Sequence, residues 1–153
     1  MLPQAFCGFE FSVLGHGRLH IFFGSHWVIV FLENNFGSHD FYFLHFKDTD
    51  TSGHDEDFEG KMAAIEEIDS MIPRILNLNP DVLVVTGDHS TPTLLGEHSW
   101  HHVPTMIHSK WARPSSDAFG ETSCRGGDLG VLHGIDLMPL VLAHSLRLNK
   151  YGA

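Results

Sequence analysis

Val82, Leu83, Val84 and Val85 form an unbroken apolar, mostly β-branched run that ends at Thr86 and Gly87. Such a run reads as a strand buried on both faces, the pattern of a parallel sheet covered by helices rather than of a solvated hairpin. Gly87 lets the backbone turn sharply, and Asp88 and His89 follow at once. A carboxylate and an imidazole therefore sit at the carboxyl end of a buried strand, the edge at which open α/β sheets bind ligands. Further on, His98 opens HSWHHVP and Val103 starts another apolar run. Asp and His donors gathered on one rim suit a divalent ion such as Zn or Mn. A lone Asp-His pair would describe a capped turn and a solvated histidine equally well. Its place after a buried strand favours the metal.

Upstream, Phe41–Phe46 (FYFLHF) is a second strand expected near the centre of the sheet, and it runs into the polar stretch KDTDTSGH. Two motifs compete there. Asp48, Asp50, Ser52, Gly53 and Glu59 match positions of an EF-hand calcium loop. Against it, the preceding segment is aromatic strand rather than helix, Asp55 stands at a normally apolar position, and no second loop pairs with it. The other reading takes Asp50 and His54, spaced D-x-x-x-H, as ligands of a metal shared with His98. From Asp57 the period becomes helical, with Phe58, Met62, Ile65, Ile68 and Ile72 on one apolar stripe and Glu56, Glu59, Lys61, Glu66 and Glu67 elsewhere. Pro73 kinks that helix or opens a second short one. Strand, helix and strand in succession predict a right-handed βαβ crossover with parallel strands, which would put both Asp/His loops at one sheet edge.

The remaining chain is less explicit. Residues 1–39 form a leader rich in Phe, Gly and His, with strand-like runs at Leu19–Phe23 and Trp27–Leu32 that suggest an added hairpin. Residues 90–100 read as a loop carrying ligand candidates, and Val103–His108 as a further strand. Pro114–Leu132 is Gly- and Ser-rich, with Arg113 and Arg125 as possible anion contacts or plain turn residues. Asp136–Leu148 reads as a closing apolar helix with Pro139 in its first turn.

Composition narrows the function. A formal charge of −10 over 153 residues argues against nucleic acid and against an anionic membrane surface. Leu19–Leu32 is too short, and too interrupted by His20 and His26, to span a bilayer. No signal-peptide pattern opens the chain. Cys7 and Cys124 make neither a metal motif nor a disulfide framework, so the cytoplasm is the expected compartment. Thirteen histidines are the unusual entry in the composition and are compatible with metal ligation.

KDTDTSGHDEDFEGK, PDVLVVTGDHSTP, HSWHHVP and DLMPLVLAHSLRLNKYGA, in that order, resemble the C-terminal part of the archaeal-type 2,3-bisphosphoglycerate-independent phosphoglycerate mutases. These belong to the alkaline-phosphatase-like metalloenzymes, and the resemblance covers roughly residues 40–153. It implies an α/β fold, part of a three-layer sandwich with a mostly parallel sheet. It also implies two divalent ions, manganese above all, with magnesium, zinc or cobalt as alternatives, and phosphoryl transfer between the 3- and 2-positions of glycerate in glycolysis. By matching motifs, Asp50, His54 and His98 would ligate one ion, and Asp88 and His89 would belong to the shell of the second. His101, His102 and Thr86 would face substrate or orient ligands. The family's nucleophilic serine has no counterpart: Ser12, Ser25 and Ser38 lack its setting, and His102 stands where the family has Pro. The resemblance thus describes the metal-binding end of a mutase, dependent on a complementary chain for the serine. A metal-dependent phosphomonoesterase and a non-catalytic metal-binding module are the alternatives.

Overall fold

The computed structural model describes residues 11–12, 25–148 and 150, and these divide into two compact units. The first comprises the described residues up to Leu78 together with Thr91–Ser99, and the second Asn79–Ser90 together with the residues from Trp100 onward. Among the described residues, no helix is long and apolar enough to cross a membrane.

The first unit is mainly helical. Helix α1 spans Ser25–Asn35, and a turn of 3₁₀ helix, Phe36–Ser38, extends it. Trp27–Leu32 is therefore helix rather than the expected strand. A short apolar run fits either period, and packing decides between them. Here Val28, Ile29 and Leu32 fall on one face and are buried. Two amide side chains secure the end of the helix, Asn34 donating to the Val30 carbonyl and Asn35 to that of Phe31, both at 2.8 Å. Phe31, Tyr42, Leu44 and Phe46 pack against Val28, and the Tyr42 hydroxyl donates to the Asn35 carbonyl. The other strand-like run, Leu19–Phe23, lies outside the described residues.

Phe41–Phe46 contributes only β2, Phe43–Leu44, which pairs antiparallel with β1, Phe11–Ser12. It is not a central strand. The polar stretch after it is also not a loop: Asp48–His54 is a helix, α2. This removes the EF-hand reading, since residues two apart on a helix point about 200° apart and cannot converge on one ion. Helix α3 follows from Phe58 to Asn77, with Asp57 as N-cap accepting from the Gly60 amide at 2.9 Å. Pro73 lies inside α3 without starting a second helix. The carbonyl that would have bonded its missing N–H belongs to Asp69, an exposed residue on which water can substitute.

Helix α3 packs on both α1 and α2. Its buried residues are Met71 and Ile75, while Phe58, Met62 and Ile65 of the anticipated core stripe stand 64%, 42% and 52% exposed. Arg74 on α3 forms a two-pronged pair with Glu33 on α1, Nε to Oε1 at 2.9 Å and Nη2 to Oε2 at 2.7 Å. The hydrogen bonds to Glu33 raise the Arg74 pKa above its ordinary value. At this exposure the pair orients the helices more than it drives their association.

The second unit holds β3, Val82–Thr86, paired antiparallel with β4, Thr105–Ser109, in a register that sets Val84 opposite Ile107. The strands themselves fall where the sequence places them. The expected parallel crossover does not: the described strands form two separate two-stranded antiparallel sheets, with β2 and β3 in different units. With one neighbour, β3 is half-buried rather than covered on both faces. A short helix α4, Glu121–Cys124, precedes α5, Gly134–His144, which starts earlier than the sequence suggests because His133 and Asp136 form a reciprocal capping box. Helix α5 is tied to β4 by Ser109, whose Oγ lies 2.7 Å from His144 Nδ1. The same Oγ accepts the Trp111 and Ala112 amides at 3.2 and 3.1 Å.

Truncating Ile29, which has no exposed surface, should cost about 2–5 kcal/mol in a urea melt, the range for core Ile→Ala changes. Leu94→Ala, at a residue 93% exposed, should stay within about 0.5 kcal/mol of the parent.

Candidate metal centre

Asp50 and His54 lie four residues apart on α2, which stacks their side chains on one face of the helix. His98 comes from the segment Thr91–Ser99, which belongs to the same unit. Asp50 faces both histidines. Asp50 Oδ1 is 3.5 Å from His54 Nε2 and 3.6 Å from His98 Nε2, and the two imidazole centroids stand 5.0 Å apart. These separations are too long for good hydrogen bonds. They match co-ligands instead, because two donors each about 2.1 Å from one tetrahedral ion stand about 3.4 Å from each other.

Neighbouring groups prepare the donors for that task. His54 Nδ1 lies 2.9 Å from the Gly96 carbonyl oxygen. A carbonyl only accepts, so Nδ1 carries the proton and Nε2 turns an open lone pair toward Asp50. Gly96 reaches this position with φ +61°, a conformation that favours glycine. Asp50 Oδ1 accepts from Thr91 Oγ1 at 2.7 Å, and Lys61 Nζ on α3 donates to the Thr91 carbonyl at 2.6 Å. Thr91 is 3% exposed. Gly53, directly behind Asp50 on α2, is what allows this approach: a Cβ there would stand 2.4 Å from the Thr91 oxygen.

In the second unit, Asp88 and His89 follow β3. The His89 amide donates to Asp88 Oδ1 at 3.0 Å, and His89 Nε2 is 3.6 Å from Asp88 Oδ2. Asp88 is exposed and His89 half-buried. His101 stacks on Trp100 with centroids 5.0 Å apart, His102 is exposed, and Thr86 Oγ1 contacts Thr105 Oγ1 at 2.8 Å. Arg125, exposed, is the C-cap of α4. Thr91, Lys61 and the Gly96 carbonyl have no ligand-like signature in the sequence. The sole hint is that Thr91 and Gly96 fall in the loop already marked by its histidines.

A donor set of one carboxylate and two imidazoles, without thiolate, fits a divalent ion. Residues 30–144 match the Metalloenzyme superfamily. The chain belongs to that superfamily. Within this metalloenzyme family, a protein of Thermotoga sp. strain RQ2 described as a probable 2,3-bisphosphoglycerate-independent phosphoglycerate mutase is 51% identical over 123 residues, 80% of this chain and 31% of its own length. A protein of the same description from Thermus thermophilus is 48% identical over 80% of this chain and 30% of its own length. A solved structure of a Pyrococcus horikoshii protein superposes with TM-score 0.70 at 35% identity, covering 84% of this chain and 39% of the other. This metalloenzyme chain thus spans about a third of the length of the curated relatives it matches. Family and donor geometry together support binding of a divalent metal.

Gly53→Ala should lower manganese affinity at least about tenfold by isothermal titration, the usual scale for disturbing groups that hold ligands in place. Gly37→Ala, where a Cβ meets nothing within 4 Å, should leave it unchanged.

Proposed function

We propose that this chain is the metal-binding part of a 2,3-bisphosphoglycerate-independent phosphoglycerate mutase, which interconverts 3- and 2-phosphoglycerate. The observation that carries the reading is the position of Asp50 Oδ1, 3.5 Å from His54 Nε2 and 3.6 Å from His98 Nε2. The description shared by the curated relatives supports the substrate class, a small phosphate ester. In this reading Asp50, His54 and His98 ligate one ion, and Asp88 and His89 serve a second. Oxygen and nitrogen donors without sulfur suit manganese, and also magnesium, cobalt or zinc.

When bound, a pair of such ions would neutralise phosphoryl oxygens and stabilise both the entering and the leaving oxygen of an in-line displacement. The chain's own residues supply orientation. Thr91 fixes the Asp50 carboxylate, and the Gly96 carbonyl holds the His54 ring through Nδ1, leaving Nε2 as the ligating nitrogen. His101, His102 and Arg125 are the nearest sequence candidates for contacts to the ester. A complementary chain segment supplies the nucleophilic serine, for which the described residues offer no counterpart, and the reaction belongs to the cytoplasm.

Manganese at about a hundredfold excess over its dissociation constant should stabilise the fold by about 2.7 kcal/mol. For a chain of this size that is a rise of several degrees in Tm. His98→Ala should abolish the shift. No shift with manganese, magnesium, cobalt or zinc would overturn the assignment.

A further inference from the structure

An amphipathic helix normally hides its apolar stripe, and α3 hides only part of its own. Phe58, Met62, Ile65 and Leu76 fall within an arc of about 60° on the helical wheel, and Met71 and Ile75 lie about 80° or more away from it. The structure buries the second group and leaves the first 64%, 42%, 52% and 39% exposed. Three successive turns of α3 thus present Phe, Met and Ile to water, a contiguous patch of the kind that marks an interaction surface. Asp69 lies within the stripe, and Glu59 and Glu66 flank it.

We infer that this face of α3 is the docking surface for the part of a mutase-type metalloenzyme that the relatives carry outside the matched region. The inference rests on the family reading above and extends it to a surface. Two observations select this occupant. The matched segment is 30–31% of the curated relatives and 39% of the solved homologue, although it takes in 80% or more of this chain. The remainder of those relatives is long enough to cover such a face. The acidic rim argues against a second copy, because a two-fold contact through α3 would set Glu59, Glu66 and Asp69 against their own counterparts. The occupant is therefore an apolar surface bordered by Lys or Arg.

The test is co-expression of the tagged full chain with the portion of the Thermus thermophilus relative outside the matched region. The expected result is a one-to-one complex whose affinity falls at least about tenfold in Phe58→Glu and in Ile65→Glu, each of which would bury a charge against an apolar partner. Met62→Ala should weaken it more mildly, and Lys110→Glu, in the other unit, should leave it unchanged. Circular dichroism checks that each variant is folded, which their exposed positions favour. Absence of a complex, a complex indifferent to Phe58→Glu and Ile65→Glu, or a homodimer dissolved by Phe58→Glu would overturn the inference. Manganese binding on the same samples reads the metal centre separately, so a chain that docks without binding metal, or binds metal without docking, shows which of the two readings has failed.

Discussion

The centre depends on one lashing: the segment Thr91–Ser99 is held against α2 and α3 by Thr91. Its hydroxyl donates to Asp50, its carbonyl accepts from Lys61, and its side chain is buried over Gly53. The approach of His98 to the α2 donors relies on that attachment and on the His54–Gly96 hydrogen bond of the same segment, because His98 itself lies in neither a helix nor a strand. Both bonds are partly buried, and the Lys61 bond has a charged donor. An ammonium donating to a carbonyl in partial shelter from water is stronger than the same contact in solvent.

The sequence picked out the donors for a reason the structure does not share. A parallel βαβ crossover was to bring two loops to one sheet edge, yet Asp50 and His54 stand on a helix and the strands pair antiparallel in separate units. Asp50 and His54 still lie side by side because the spacing D-x-x-x-H means as much on a helix as around a turn. Four residues make one turn, so the two side chains share a face either way. Their expected link to His98 came from the shared sheet edge and from the resemblance of the ordered motifs to a metalloenzyme family, and residues 30–144 do match the Metalloenzyme superfamily.

Other features could not be read locally. Trp27–Leu32 is apolar and rich in β-branched residues, and only the burial of Val28, Ile29 and Leu32 makes it a helix. Phe41–Phe46 has strong strand propensity, but a strand extends only as far as its partner, and here the partner is the two-residue Phe11–Ser12. In α3 the periodicity located the helix well. It did not reveal which of two apolar arcs is buried, since hydrophobicity alone does not say where the next element lies. Thr91 and Gly96 act through a hydroxyl and a backbone carbonyl, chemistry that any loop contains.

One contact in the second unit has a consequence of its own. Ser109 Oγ spends both lone pairs on the Trp111 and Ala112 amides, so its single hydrogen must go to His144 Nδ1. That arrangement dictates the tautomer: the imidazole keeps its proton on the far nitrogen, and the near one is a pure acceptor. The anchorage of α5 on β4 is consequently a lock with a chemical key. A Lys or Arg of ample reach would present only hydrogens to a hydroxyl that has no room left to receive them.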